Sequence, residues 1–554
     1  MIMRRIDVKK AFWLIMIGIL LVSFLTACGT STPSVSKSPA PTQSISPSSA
    51  VPSTTTSATP AITQTVTTPT QTGKSPKYGG VLRVVNDAVP ATSIGFPPEI
   101  QTGSGESIQL CIEPLLRSDD KGNLIPWLAE SYEVASDFKS ITFKIRKGVK
   151  FHDGSDLNAQ VVKWNLDNQI EAKLVPNWSS VEVIDDYTVR VNITQWMNTI
   201  MAGFADGSSS WMISKAAFDK NGIDWVRQNP VGTGPFKFLS FSRDTAFKAV
   251  KNPDYWQPGK PYVDRVEIIY VIDQMTQKAV MQSGGADAIA IEFGKRTKDM
   301  ADIGLEVVAN SVTTSSLIPD TANPDSPWYN LKVREAAEYA IDREAIAKAF
   351  GFGYWKAAYQ VPARAYPVYD PNFVGRRYNP EKAKQLLAEA GYPNGFKTTI
   401  ICNPLGLNRD VVVAVQSYLS KVGIDAALEF PEFSKYQPSY LMGTWKNACL
   451  YQLWPGAANY NSMIYLYLRP NGPFLKSWLR TPEFISLFEK SLTSPEPDVN
   501  LIRAIFNQIH KEAGYIPINE AGKSWAMQSY VKDGGWYERS ISSWWKPEQV
   551  WLDK

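Results

Sequence analysis

Two histidines, His152 and His510, are all the imidazole in a chain of 554 residues, so a metal site built from several imidazoles is excluded. Past residue 28 the cysteines are Cys111, Cys402 and Cys449, at spacings that match no zinc motif. An exported chain could close one disulfide among them, in any pairing, and leave one thiol over. Neither Gly-x-Ser-x-Gly nor a Cys–His pairing is present, so nucleophilic hydrolysis lacks its parts. Asp185-Asp186 is the one paired carboxylate with a recognisable setting. It sits between Val181, Val183 and the alternating Tyr187, Val189, Val191 and Ile193, so it reads as a hairpin turn, with nothing nearby to separate two pKa values. Gly73-Lys74-Ser75 and Gly232-Thr233-Gly234-Pro235 imitate phosphate loops. The first lacks a preceding strand, and the second lacks both the lysine and a following helix. What the sequence does hold in excess is rings, with 18 Trp and 24 Tyr. Aromatic walls offer large contact area at low entropic cost and stack on planar, sugar or apolar solutes. The chemistry therefore points to binding, with no catalytic residue, metal or cofactor.

The elements that must position those rings alternate between strands and helices. Val81 to Val85 is a mostly apolar run, expected as a strand buried on both faces, and Ile141, Phe143 and Ile145 mark a half-buried strand. Helical stripes follow at Val333, Ala337, Ala340 and Ile341, at Ala383, Leu386, Leu387 and Ala390, at Val411, Val415, Tyr418, Leu419 and Val422, and at Ile502, Ile505, Phe506 and Ile509. Asn379 caps the second of these with Pro380 in its first turn, and Gly391 and Pro393 end it. Mixed elements over this length give an α/β protein of at least two lobes. The net charge is +4, and removing the first 27 residues, which hold Arg4, Arg5, Lys9, Lys10 and Asp7, leaves it near +1. So balanced a chain has no electrostatic call on nucleic acid.

The first residues read as an address. A basic stretch and an apolar run from Ala11 to Ala27 end in Leu25-Thr26-Ala27-Cys28, which resembles a lipobox, with residues 1–27 as signal peptide and Cys28 as the lipidated residue. Residues 28–77 then form a Ser/Thr/Pro-rich stalk without acids or rings, which cannot bury enough apolar area to fold. Fully polyproline-like it would reach about 150 Å, and much less as a coil.

Five segments carry a family resemblance in their order. They are Leu124–Tyr132, Phe143–Gly154, Val231–Phe236 with Asn252–Trp256, Val333–Ala336 with Tyr339–Glu344, and Tyr378–Ala383 running to Pro393. Together they resemble the extracellular solute-binding proteins that serve peptide and nickel ABC importers. The resemblance implies a two-lobed periplasmic-binding-protein-like fold with a hinge and an inserted third domain. Lobe I would comprise 78–105, 229–318 and 530–554, the insertion 106–228, and lobe II 319–529. It implies a monomer, lipid-anchored at the outer face of the cytoplasmic membrane, that hands a peptide or other small solute to an ABC permease. By the same resemblance the solute is touched by Ser93-Ile94-Gly95-Phe96 and by Leu453 to Tyr460, where peptide binders carry an aspartate for the α-ammonium. Asn459 stands at the best-matching position here, a change that removes a charge-assisted partner worth about 1.5–3 kcal/mol. The expected lining is thus neutral and aromatic: Ile94, Phe96, Tyr354, Trp355, Trp445, Trp454, Asn459 and Tyr460. The competing readings are a secreted hydrolase, which lacks a nucleophile and base, and a sensory or adhesive surface protein of the same fold.

Overall fold

The computed structural model describes residues 75–554 except 87, 88, 91, 92, 101–104, 206, 293, 405–407, 458 and 535–544, with only the backbone of Glu292 and Lys523. The signal peptide, Cys28 and the stalk up to Lys74 lie outside the described residues.

A seven-stranded sheet organises the first lobe, in the spatial order Phe236–Ser242, Ala246–Lys251, Arg265–Tyr270, Val81–Asn86, Ala288–Glu292, Lys523–Met527, Glu306–Ala309. Val81–Asn86 runs parallel to both neighbours, with Val84 opposite Ile268 and Ala288. A central parallel strand is covered on both faces, which is why its sequence is a continuous apolar run. Leu82, Val84, Phe236, Phe247 and Ile268 build one core, and Val85, Met281, Ile289 and Ile291 the other.

The second lobe carries a six-stranded sheet, ordered Lys356–Ala357, Ile516–Ala521, Thr313–Pro319, Ala448–Trp454, Phe396–Cys402, Ile424–Glu429. Helices Leu331–Ala340, Pro380–Glu389 and Arg409–Ser420 bury their stripes on one face, and Pro482–Thr493 and Val499–Lys511 cover the other. Asn379 caps its helix as its sequence predicts, accepting from the Lys382 N–H at 2.9 Å.

Between the lobe I segments lies a four-stranded antiparallel sheet, Ala129–Val134, Ser140–Ile145, Thr188–Ile193 and Trp178–Asp185, packed on the helix Ala159–Glu171. Asp185 accepts from the Tyr187 N–H at 2.8 Å in the hairpin turn.

The expected partition shifts at three places. Thr313–Pro319 pairs with lobe II strands, and Lys523–Met527 pairs with lobe I strands, so the crossings fall at Asn310–Val312 and at Gly522. Ile108 to Ile112, with Trp211, Ile213 and Val226, packs into the lobe I core, not into the inserted sheet. Apolar alternation locates a strand in the chain, but its partner sheet is settled by pairing with residues far away in sequence.

The motifs that carry the resemblance converge on one buried acid. Glu113 accepts from Trp127 Nε1 at 2.8 Å, Thr233 Oγ1 at 2.8 Å, Tyr255 Oη at 2.7 Å and Trp256 Nε1 at 2.9 Å. Arg117 lies 3.5 Å from the same carboxylate and 3.7 Å from the centre of the Trp127 ring. Gly232 and Gly234 lie where any Cβ would overlap the Cys111 carbonyl, so this stretch is a close backbone crossing and not a phosphate cradle. His152 is structural in the same way, its Nε2 3.0 Å from the Gly234 carbonyl, and burial lowers its pKa to about 4. Cys111, Cys402 and Cys449 are buried free thiols. Among the described residues no helix is long and apolar enough to cross a membrane.

Candidate functional site

The two crossings between the sheets are the natural hinge. They lie against each other: a Cβ on Gly522 would overlap the carbonyl oxygen of Asn310. Several strand ends lie beside this hinge. On lobe II those ends are Thr314, Glu520 and Trp454, which sit side by side because Thr314 is in register with both of the others. Partners in register share a face of the sheet, so all three side chains point the same way. On lobe I, Ala309 and Lys523 adjoin the crossings, and Asn86 and Tyr270 end their strands on the same side of the sheet. Behind them Asn86 Nδ2 donates to Glu106 at 3.3 Å, and Ser107 Oγ lies 3.0 Å from Tyr270 Oη.

Trp454 and Tyr460, expected in the lining, are buried together in an aromatic cluster of the lobe II core. Trp454 meets Tyr460, Tyr467, Phe506 and Tyr515, and Tyr460 meets Tyr366 edge-on with centroids 4.9 Å apart. Gly456 lets the strand end fold back here, since a Cβ on it would collide with the Tyr366 hydroxyl. Burial holds the Tyr460 and Tyr366 phenols far above their usual range, so both stay neutral donors.

A charge that the sequence did not reveal sits beside these rings. Glu520, whose side chain is 1% exposed, pairs with Arg364 through Arg364 Nη1 and accepts from the Arg364 backbone N–H at 3.3 Å. Burial pushes its carboxyl up to about 7, against the pull of Arg364 and Lys356. Arg364, Tyr366, Thr314 and Glu520 stand out in no motif. Only the register of Thr313–Pro319 and the course of the 358–377 segment place them together.

Other expected lining residues sit elsewhere. Ile94 and Phe96 are enclosed in the lobe I core, Ile94 with its N–H on the Arg227 carbonyl at 2.8 Å and Phe96 stacked 6.2 Å from Phe218. Trp445 is enclosed in the lobe II core, its backbone N–H on Ser477 Oγ at 2.8 Å. These three are corrected to scaffold: their rings and side chains complete cores that the neighbouring strands leave open. Trp355 lies within 3.4 Å of where a Cβ on Gly294 of lobe I would stand, and Tyr354 packs against the lobe II core.

Asn459 has a different task from the one expected of it. Its Oδ1 caps the helix Tyr460–Leu468 at Asn461 N, 3.0 Å away, while its Nδ2 donates to the Asn198 carbonyl of the inserted domain at 3.0 Å. Asn198 continues the contact. Its Nδ2 donates to Ser491 O at 2.7 Å and to Ser494 Oγ at 3.0 Å, and its Oδ1 accepts from Asn461 Nδ2 at 3.2 Å. Trp196 Nε1 adds a bond to Ser494 O at 3.3 Å. The inserted domain is thus clasped to lobe II through a buried polar cluster.

Two sheets with helical cover, joined by paired crossings, define the class of two-lobed solute-binding proteins. Solved structures share the fold. The ABC transporter-associated periplasmic binding protein DppA of Helicobacter pylori, in complex with the peptide STSA, superposes with a TM-score of 0.71 at 24% identity, over 86% of this chain and 99% of that one. AppA of Bacillus subtilis in complex with a nonapeptide gives 0.69 at 22% identity over 87% and 100%, and NikA of Brucella suis with Fe(III)-EDTA gives 0.70 at 22% over 82% and 96%. The chain belongs to the bacterial extracellular solute-binding proteins, family 5, whose model matches residues 123–473. The glutathione-binding protein GsiB of Escherichia coli K12 is 36% identical over 310 residues, 54% of this chain and 59% of the relative. The chain therefore spans about three-fifths of the curated relatives it matches.

Proposed function

We propose that this protein is an extracytoplasmic solute receptor that captures a peptide-like or other small organic solute between its lobes and delivers it, chemically unchanged, to an ABC importer permease. The observation that carries this reading is the pair of crossings at Asn310–Val312 and Gly522, with Trp454, Tyr460, Tyr366 and the Arg364–Glu520 pair gathered at the adjoining strand ends. Closure about such crossings lets a solute be held from both sides, and only a ligand that prefers the closed form drives it. Family membership and the likeness to GsiB support the class of cargo. The lipid anchor at Cys28, the stalk as a spacer and a monomeric state belong to the same proposal, in line with the family's extracellular setting.

The test is mass spectrometry of whatever co-purifies with the protein, followed by small-angle scattering and calorimetry with that compound and with a panel including glutathione and dipeptides. A bound compound recovered unchanged, with a smaller radius of gyration on binding, is the expected result. Neither compaction nor a thermal shift across the panel would refute the reading, and turnover of a bound compound would favour a hydrolase.

A further inference from the structure

Gln452 is an amide whose orientation is fixed from one side. Its Oε1 accepts from Tyr436 Oη at 2.7 Å and from Asn403 Nδ2 at 2.8 Å. Tyr436 is fully buried, and burial holds its phenol protonated, so its O–H needs an acceptor and Gln452 supplies the oxygen. Nε2 is then the other arm of the amide, and neither of its N–H groups makes a hydrogen bond among the described residues. Gln452 is half-buried, whereas Leu450 and Trp454, on the same side of the strand, are enclosed.

The amide stands at the edge of the lobe II sheet that meets lobe I. Ala448–Trp454 and Phe396–Cys402 run parallel and end together where the chain crosses between the lobes, with Asn403 N on the Tyr451 carbonyl at 3.1 Å. Lys356 begins its strand at the same edge, opposite Glu520. Trp355, just before it, lies against Gly294, which follows the lobe I strand Ala288–Glu292. Across the strand pair Gln452 is in register with Ser316, and Thr314 is next along that face. Both are fully buried, and neither hydroxyl has a partner among the described residues. Hydrogen-bonding capacity at this place is therefore left unspent by the fold itself. The acids at these strand ends are both taken, Glu429 by Lys435 at 2.9 Å and by Tyr440 Oη at 2.7 Å, and Glu520 by Arg364.

We propose that Gln452 is a solute-binding residue that offers Nε2 to an uncharged oxygen acceptor of the solute, an amide carbonyl in a peptide-like cargo. The inference rests on the receptor reading above and names a specificity residue for it. A side chain already held by two hydrogen bonds gives up little freedom when it binds, so the contact is preorganised. An N–H donor in neutral surroundings suits a carbonyl oxygen and discriminates against an ammonium, which brings no lone pair.

The test is calorimetry on the full chain with trialanine and with its analogue in which sulfur, a weaker acceptor, replaces both amide oxygens. Trialanine is expected to bind at least about fivefold more tightly, the worth of one neutral hydrogen bond. Gln452→Met should bring that ratio near one. Gln452→Glu keeps an acceptor for Tyr436 and Asn403, so its unfolding temperature should stay near that of the native protein. It should nevertheless bind trialanine at least about tenfold more weakly, because a carboxylate oxygen then faces the amide oxygen. A ratio near one in the native protein, a ratio that survives in Gln452→Met, or native affinity in Gln452→Glu overturns the assignment. So does failure of both probes to bind while other solutes do. If no solute in the wider panel binds at all, it is the receptor reading that falls.

Discussion

Asn198 is the most informative single residue to change, because it ties the inserted domain to lobe II at a distance in the chain from the hinge. Asn198→Ala removes three side-chain hydrogen bonds, to Ser491, Ser494 and Asn461. Asn461 Nδ2 keeps Ser491 O at 3.1 Å, and Ser494 Oγ keeps Glu496 O at 2.7 Å, so the partners are not all orphaned. At a net of about 0.5–1.5 kcal/mol for each bond, the loss is about 2–3 kcal/mol. If the contact forms when the lobes close, all of that falls on the closed form, and solute affinity drops by about 30- to 150-fold, mainly through faster release. Asn198→Asp is the harsher variant, since it sets a carboxylate oxygen against the Ser491 carbonyl. The assay is calorimetry and stopped-flow release of the co-purified solute, with scattering to follow the radius of gyration. A fall in unfolding temperature with affinity unchanged would refute the reasoning, because it would make the clasp permanent scaffolding that solute binding does not engage.

Gly522→Ala should push the two crossings apart at Asn310, at about 1–3 kcal/mol, and weaken solute binding while the far-ultraviolet circular dichroism of both lobes is unchanged; native affinity would show that the crossing is not under closure strain. Glu113→Gln replaces an acceptor of four donors with a group that must present an N–H to at least one of them, and denaturant titration should show a loss of about 2–4 kcal/mol. Stability should also fall as the solution is acidified. His152 titrates near 4 in the folded protein and near 6.5 when unfolded, so the unfolded chain binds the extra proton between those values. That contribution is complete above about pH 6.5, is reduced by about 2 kcal/mol at pH 5, and should be smaller in His152→Gln, as read from thermal unfolding across pH 7 to 4.5.

Much of the scaffold could be read in the chain because local patterns suffice for it. The Val81–Asn86 run is apolar because parallel neighbours cover both its faces, and the Asn379-Pro380 start and the 383–390 stripe state a helix without outside help. Composition alone excluded a site built from several imidazoles, and the ordered motifs led to the right family. Rings were a poorer guide to the site. Phe96 and Trp445 have the residue type of a lining and the surroundings of a core, and side-chain chemistry does not distinguish the two. Asn459 was placed by its match to the aspartate position of peptide binders, yet its partner Asn198 lies 261 residues away.

The chain by itself determined which segments are strands and helices, since periodicity, caps and turn residues act over a few positions. Only the tertiary structure decided which sheet Thr313–Pro319 and Lys523–Met527 join, and so where the hinge falls. It alone set Glu520 beside Arg364 and Thr314, and Asn198 against Asn459. These are pairings between remote residues, fixed by register and by which faces must be buried together, and no local pattern along the sequence records them.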